Sequence, residues 1–332
     1  MSAPGRIGVI GGGAWGTALA QTARLGGSDV LLWAREPEVV ADINVQHRNS
    51  LFLPDVPLDA GLKATADLNE IAHCPTLLLV CPAQHVRSTA LALAGKIRTG
   101  TTIVICAKGL EQATGKLLGS VLAEELPEAS PAVLSGPSFA ADVARGLPTA
   151  VTLAVTDAAQ GRVLAERLAG RHFRIYWSDD LIGTQLGGAV KNVLAIAAGI
   201  VDGRAFGASA HAALVTRGFS ELRRFGEALG ARNDTLMGLS GLGDLLLTCG
   251  SAQSRNMSLG RALGQGKSLA DILGERRSVA EGVFTAAAVV RRARELGLEM
   301  PICEAVLAIV DGKLTVDAAI DALLSRPLKA EG

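Results

Sequence analysis

Aromatic side chains are scarce, with 7 Phe, 3 Trp and 1 Tyr in 332 residues. Surfaces that stack nucleic-acid bases need such platforms, and few are present. An excess of charge of one sign is also missing, because 32 Lys and Arg balance 32 Asp and Glu for a net charge of zero. A basic excess is the electrostatic footprint of a nucleic-acid binder, so no nucleic-acid partner is expected. The 5 cysteines, Cys74, Cys81, Cys106, Cys249 and Cys303, form no Cys-x-x-Cys pair and have no histidine nearby at ligand spacing. They read as small core residues of a reducing compartment, with neither a disulfide framework nor a metal site expected. No apolar stretch of about 18 residues runs free of a charge or turn signal, so no membrane span is expected. The opening residues MSAPGRIGVIGGG lack the charged start, long apolar run and cleavage site of a secretory signal. A cytoplasmic location is the expectation.

Hydrophobic residues, by contrast, make up 49% of the chain, and Gly alone accounts for 39 positions. That composition excludes a disordered or fibrous chain. The length suggests roughly two domains of about 150 residues each. The first half alternates short β-rich runs with helix-length segments. Strands are predicted at 6–10, 29–33, 76–80, 102–106, 132–134, 150–155 and 173–176, mostly as continuous Ile, Val and Leu runs of a doubly buried parallel sheet. Helices are predicted between them at 15–25, 38–46, 86–97, 117–126 and 158–169. Such alternation implies right-handed βαβ units and a doubly wound sheet.

After Ser178 only helical periodicity remains, as at 181–201, 212–229, 254–263 and 285–295. Thr315 caps a terminal helix. The expected fold is α/β: a Rossmann-type doubly wound domain over 1–178, joined to an all-α domain over 179–332. No internal repeat or low-complexity linker separates them, so chemistry is expected in the cleft between them.

Gly11-Gly12-Gly13-Ala14-Trp15-Gly16 carries the spacing G-x-G-x-x-G directly after the first strand. There it suits a dinucleotide pyrophosphate, with tight turn, close backbone approach and helix N-terminus combined. The bland alternative is a turn without ligand. Where NAD-specific folds place a carboxylate for the ribose, this chain has Ala34 followed by Arg35. A guanidinium can clamp a 2′-phosphate, so NADP is the preferred cofactor and NAD a possible one. The alternative is a solvated Arg35–Glu36 pair. Lys108 follows a strand at the carboxyl edge of the sheet, where ligands bind. Lys191 interrupts an apolar helical run, where it must snorkel, pair or work. Desolvation would lower its pKa toward neutrality, fit for proton exchange. Ser254-Arg255-Asn256 opens a helix and has the chemistry of a phosphate site, although a bare N-cap needs only Ser254.

Together the segments GGGAWGTALA, AKGLE, LSGPSFA, VKNVLAIAAGIVDG, AALVTRG, GLSGLGDLLLTC, SRN and VAEG resemble, in order, the bacterial-type NAD(P)-dependent glycerol-3-phosphate dehydrogenases. The resemblance implies reversible reduction of dihydroxyacetone phosphate to sn-glycerol 3-phosphate, feeding glycerophospholipid synthesis. It implies Lys191 as proton donor and acceptor, beside Asn192 and Asp244. It implies a substrate site of Lys108, Gly136, Ser138, Lys191, Asp244, Thr248, Ser254, Arg255 and Asn256. It implies dinucleotide contacts from Gly11, Gly13, Ala14, Trp15, Gly16, Arg35, Lys108, Ala140, Arg255, Val279 and Glu281. The expected partner is a small phosphorylated substrate, with a homodimer as a possible assembly. Ser209, Asp142 and Gly250 depart from the common family pattern without touching these positions. The rival readings are another two-domain hydroxy-acid dehydrogenase, which should lack Ser-Arg-Asn and LSGPSFA, and a non-catalytic dinucleotide sensor, which has no use for Lys191, Asp244 and Arg255 together.

Overall fold

A computed structural model of the chain describes residues 5–274 and 280–327. Eight strands form one sheet: β1 (Ile7–Ile10), β2 (Val30–Trp33), β3 (Lys63–Thr65), β4 (Thr76–Leu79), β5 (Thr102–Ile105), β6 (Ser130–Ser135), β7 (Thr149–Val155) and β8 (Phe173–Ser178). Their spatial order is β3-β2-β1-β4-β5-β6-β7-β8. β1, β2, β4 and β5 are IGVI, VLLW, TLLL and TIVI, almost wholly buried because helices cover both faces of the sheet. Both pairings of β1 are parallel, and the strand order changes direction there, with β2 on one side and β4 on the other, the switch point where a crevice forms beyond the carboxyl ends.

Three features correct the sequence-based picture. The sheet is not parallel throughout, because β7 pairs antiparallel with β6 before β8 pairs parallel with β7. The connection from Gly136 to Pro148 holds only the five-residue helix Ala140–Ala144, which turns the chain back instead of crossing over the sheet. A short strand, β3, also lies where none is predicted, and the predicted helix at 38–46 divides into Pro37–Ala41 and a π-helical turn, Asp42–Gln46.

From Asp180 to Pro327 the described residues form helices and turns only. Asp180 caps the helix Leu181–Gly203 by accepting from Gly183 N. That helix is long and apolar enough to cross a membrane by length and composition, yet 83% of its apolar window is buried inside the fold. Its glycines explain the packing. A Cβ on Gly199 would stand 2.1 Å from Met257 O, so the helix Arg255–Gly264 lies directly on this backbone. The helices Asp244–Gly250 and Glu281–Glu295 also pack on it. The middle of Leu181–Gly203 is thereby enclosed from several sides, and it carries Lys191.

Candidate active site

At the end of β1 the chain turns through Gly11, Gly12 and Gly13 into the helix Ala14–Leu25. Gly11 has φ +130°, and a Cβ on Gly16 would stand 1.9 Å from Gly11 O. The turn therefore excludes side chains at both positions. Gly13 is the helix N-cap and makes no side-chain cap bond, and a Cβ built on it would meet nothing within 4 Å. The first-turn amides of Ala14, Trp15 and Gly16 have no side-chain cap, and a helix start has the polarity an anion needs. This cradle fits a dinucleotide pyrophosphate.

Trp15 packs beside the loop, with its indole Nε1 buried and without a partner in the protein. Ala140 begins the short helix that packs against Ala14–Leu25. Beyond β2, Ala34 is fully buried against Gly12. Arg35 is 78% exposed and donates from Nε (3.2 Å) and Nη2 (2.9 Å) to Glu36 Oε1.

Lys191, Lys108 and Asp244 meet across the sheet edge. Lys191 Nζ donates to Asp244 Oδ1 at 2.5 Å and to Thr248 Oγ1 at 2.7 Å. Lys108, just past β5, donates from Nζ to Asp244 Oδ2 at 2.6 Å and to Gly136 O at 3.0 Å. Ser138 donates to the same Gly136 carbonyl. Asp244 and Thr248 are one turn apart on the helix Asp244–Gly250, so both face Lys191. Asp244 is fully buried, and Lys191 is 6% exposed. Burial pushes the Lys191 ammonium down to about 8; Asp244 opposes this shift and Lys108 adds to it.

An amide network braces the lysines. Asn256 Nδ2 donates to Asn192 Oδ1 at 2.9 Å, and Gly282 N donates to Asn256 Oδ1 at 3.0 Å. Asn192 Nδ2 lies 3.5 Å from Lys108 O and 3.4 Å from Gly188 O. Asn192 therefore braces the backbone behind the lysines through Lys108 O, Gly188 O and Asn256. Ser254 caps the helix Arg255–Gly264 by accepting from Met257 N. Arg255, the first residue of that helix, lies close enough for its charge to act on Glu281. Glu281 accepts from Ala83 N at 3.2 Å, tying the helical region to the loop after β4. Desolvation holds its carboxyl above the usual range. Val279 lies outside the described residues. Among the described residues, no group of three His, Cys, Asp or Glu side chains is placed to hold a metal.

Sequence reasoning missed Asn49, a fully buried residue bonded to Gly12 and Thr17. Its only signal was position, in a polar stretch with no periodicity to mark it.

A glycine cradle beyond β1 and an ammonium pair on one buried carboxylate beyond β5, both at the carboxyl edge of the sheet, suit a nucleotide-dependent redox enzyme. Similarity to known proteins is consistent with that chemistry. Residues 6–160 match the family model described as the NAD-dependent glycerol-3-phosphate dehydrogenase N-terminus, and residues 180–321 match the model for its C-terminus. A glycerol-3-phosphate dehydrogenase [NAD(P)+] of Parvibaculum lavamentivorans is 60% identical over 326 residues, covering 98% of each chain. One from Caulobacter vibrioides is 58% identical over 326 residues, again covering 98% of each. A crystal structure of glycerol-3-phosphate dehydrogenase from Coxiella burnetii superimposes with a TM-score of 0.92 at 39% identity, covering 97% of this chain and 99% of that one. With both halves matched, the chain belongs to the NAD-dependent glycerol-3-phosphate dehydrogenase family.

Proposed function

We propose that this chain interconverts dihydroxyacetone phosphate and sn-glycerol 3-phosphate with NADPH or NADH, supplying the backbone of glycerophospholipids. The observation that carries the reading is the buried Lys191–Asp244–Lys108 arrangement at the carboxyl edge of the sheet. When bound, the dinucleotide supplies a hydride to the carbonyl carbon of the substrate. Lys191 delivers a proton from Nζ to the carbonyl oxygen, and accepts it in the reverse direction. Its depressed pKa makes both directions accessible near neutrality. Asp244 fixes the direction of both ammonium groups, and the Lys108 charge stabilises the oxygen as negative charge develops there. Thr248 accepts from Lys191 and limits the rotation of Nζ.

The substrate phosphate is assigned to Arg255 and the helix start at Ser254 to Asn256, with Gly136 and Ser138 closing the site from the β6 end. The uncapped helix start after Gly13, with Trp15 and Ala140 beside it, is assigned to the dinucleotide. Arg35 is assigned to a ribose 2′-phosphate, in support of NADPH as the preferred reductant. Glu281 and Val279 complete the dinucleotide side in this proposal. In this proposal 1–178 is the dinucleotide-binding domain and 179–332 the substrate and catalytic domain, each lending a few residues to the other's ligand.

A cytoplasmic location is proposed as well, supported by five unpaired cysteines, four of them buried. A homodimer is the proposed assembly; light scattering tests it.

Lys191→Met tests the central claim. The substitution keeps the stem's packing and deletes the proton, so kcat should fall by about a thousand-fold while NADPH binding stays near normal. Turnover at a tenth of wild type or better sinks the mechanism.

A further inference from the structure

The segment after the π-helical turn Asp42–Gln46 reaches back to the glycine loop through one side chain. Asn49 is fully buried, and its Nδ2 donates at 2.8 Å both to Gly12 O and to Thr17 Oγ1. Its Oδ1 accepts from Phe52 N at 3.1 Å, which fixes the amide's orientation. Thr17 Oγ1 in turn approaches Gly12 O at 3.4 Å. Every polar atom of a buried amide is thus spent on holding one carbonyl and its surroundings.

The consequence lies in the peptide plane. The Gly12–Gly13 bond is trans, as are all described peptide bonds, so its N–H points opposite to its C=O. Drawing Gly12 O inward onto Asn49 turns the Gly13 N–H outward. A Cβ built on Gly13 meets nothing within 4 Å, so the chain is uncrowded at this residue. The amide then joins those of the helix start in facing an anion. We propose that Asn49 is a positioning residue for the dinucleotide, aiming the Gly13 amide at its pyrophosphate from 36 residues away in sequence.

The inference rests on the dinucleotide reading above, and the measurement separates the two. NADPH dissociation constants are read by cofactor fluorescence in wild type, Asn49→Ala and Asn49→Asp, alongside melting temperature and kcat at saturating NADPH. Asn49→Asp is nearly isosteric and keeps the acceptor for Phe52 N while losing both donors, so it carries the test if the alanine variant does not fold. The expected result is a rise of about ten-fold or more in the NADPH dissociation constant, with kcat at saturation within about three-fold of wild type. A variant that melts earlier yet binds NADPH as tightly as wild type shows a purely structural bond and overturns the proposal. Wild type failing to bind NADPH overturns the dinucleotide reading itself, and the proposal with it.

Discussion

Lys191 Nζ stands 2.5 Å from Asp244 Oδ1, across 53 residues of sequence. The other oxygen of this carboxylate is held by Lys108 at 2.6 Å. One buried negative charge therefore serves two ammonium groups, and the deficit is what keeps Lys191 easy to deprotonate. Burial lowers its pKa from 10.5 to about 8, and a single shared carboxylate only partly restores it.

The pH dependence follows with a definite sign. Reduction of dihydroxyacetone phosphate needs protonated Lys191, so kcat should be flat below about 8 and fall as pH rises through that value. Oxidation of glycerol 3-phosphate needs the neutral amine and should rise over the same interval. Steady-state rates in both directions at saturating cofactor check this. Parallel profiles in the two directions would remove Lys191 from the proton step.

Stability carries the same shift in a different form. The folded-state pKa lies below the unfolded value of 10.5, so the charged ammonium disfavours folding. The cost is absent above about 10.5, grows as pH falls, and is complete below about 8, where it is on the order of 3 kcal/mol. Lys191→Met should therefore melt at or above the wild-type temperature at pH 7, since Asp244 keeps Lys108 as its partner. Calorimetry at pH 7 measures it, and a fall of several degrees contradicts the account.

Asp244→Asn should do the opposite. Two ammonium groups lose their common counter-charge in a buried place, a change that costs about 3–5 kcal/mol. The fall in reductive kcat should also move to lower pH, because Asp244 is what raises the Lys191 pKa against burial. A variant with reduced activity and an unmoved pH profile would show that Asp244 acts on geometry alone.

Arg35→Ala should raise the KM for NADPH by about ten- to a hundred-fold while leaving NADH within about two-fold. Because Arg35 rests on Glu36 in an exposed pair, Glu36→Gln should tighten NADPH modestly, by less than about 1 kcal/mol. Equal losses for both cofactors in Arg35→Ala point to packing instead.

Arg255→Lys should already weaken substrate binding, because an ammonium cannot reproduce the planar fork of a guanidinium on phosphate. The comparison is dihydroxyacetone phosphate against unphosphorylated dihydroxyacetone. Loss of the same factor for both substrates would take the phosphate away from Arg255.

The apolar runs at β1, β2, β4 and β5 were legible because burial on both faces leaves a continuous Ile, Val and Leu signature. β3 was not, since KAT is three residues long and paired along one side only. The reversal of β7 was equally hidden, because strand direction is decided by how the connection packs. The residues themselves marked Lys108 and Lys191, and the family resemblance set both with Asp244 in one site without giving the bonds between them. A lysine within an apolar helix is conspicuous by composition, whereas a buried asparagine such as Asn49 looks like any loop residue until its partners are known.

By itself, then, the sequence determined the alternation of strands and helices, the glycine turn at the end of β1 and the helical second half, because each is written in local periodicity and backbone freedom. Tertiary structure alone decided that Asp244 is shared between two lysines, that Asn49 holds Gly12, and that Asn192 braces Asn256. Those bonds join residues 37 to 136 positions apart. Hydrogen bonds and charges act over a few ångströms; the packing of Leu181–Gly203 against the sheet edge brings the lysines and Asp244 within that range, and the fold of the segment after Asp42–Gln46 onto the glycine loop does the same for Asn49.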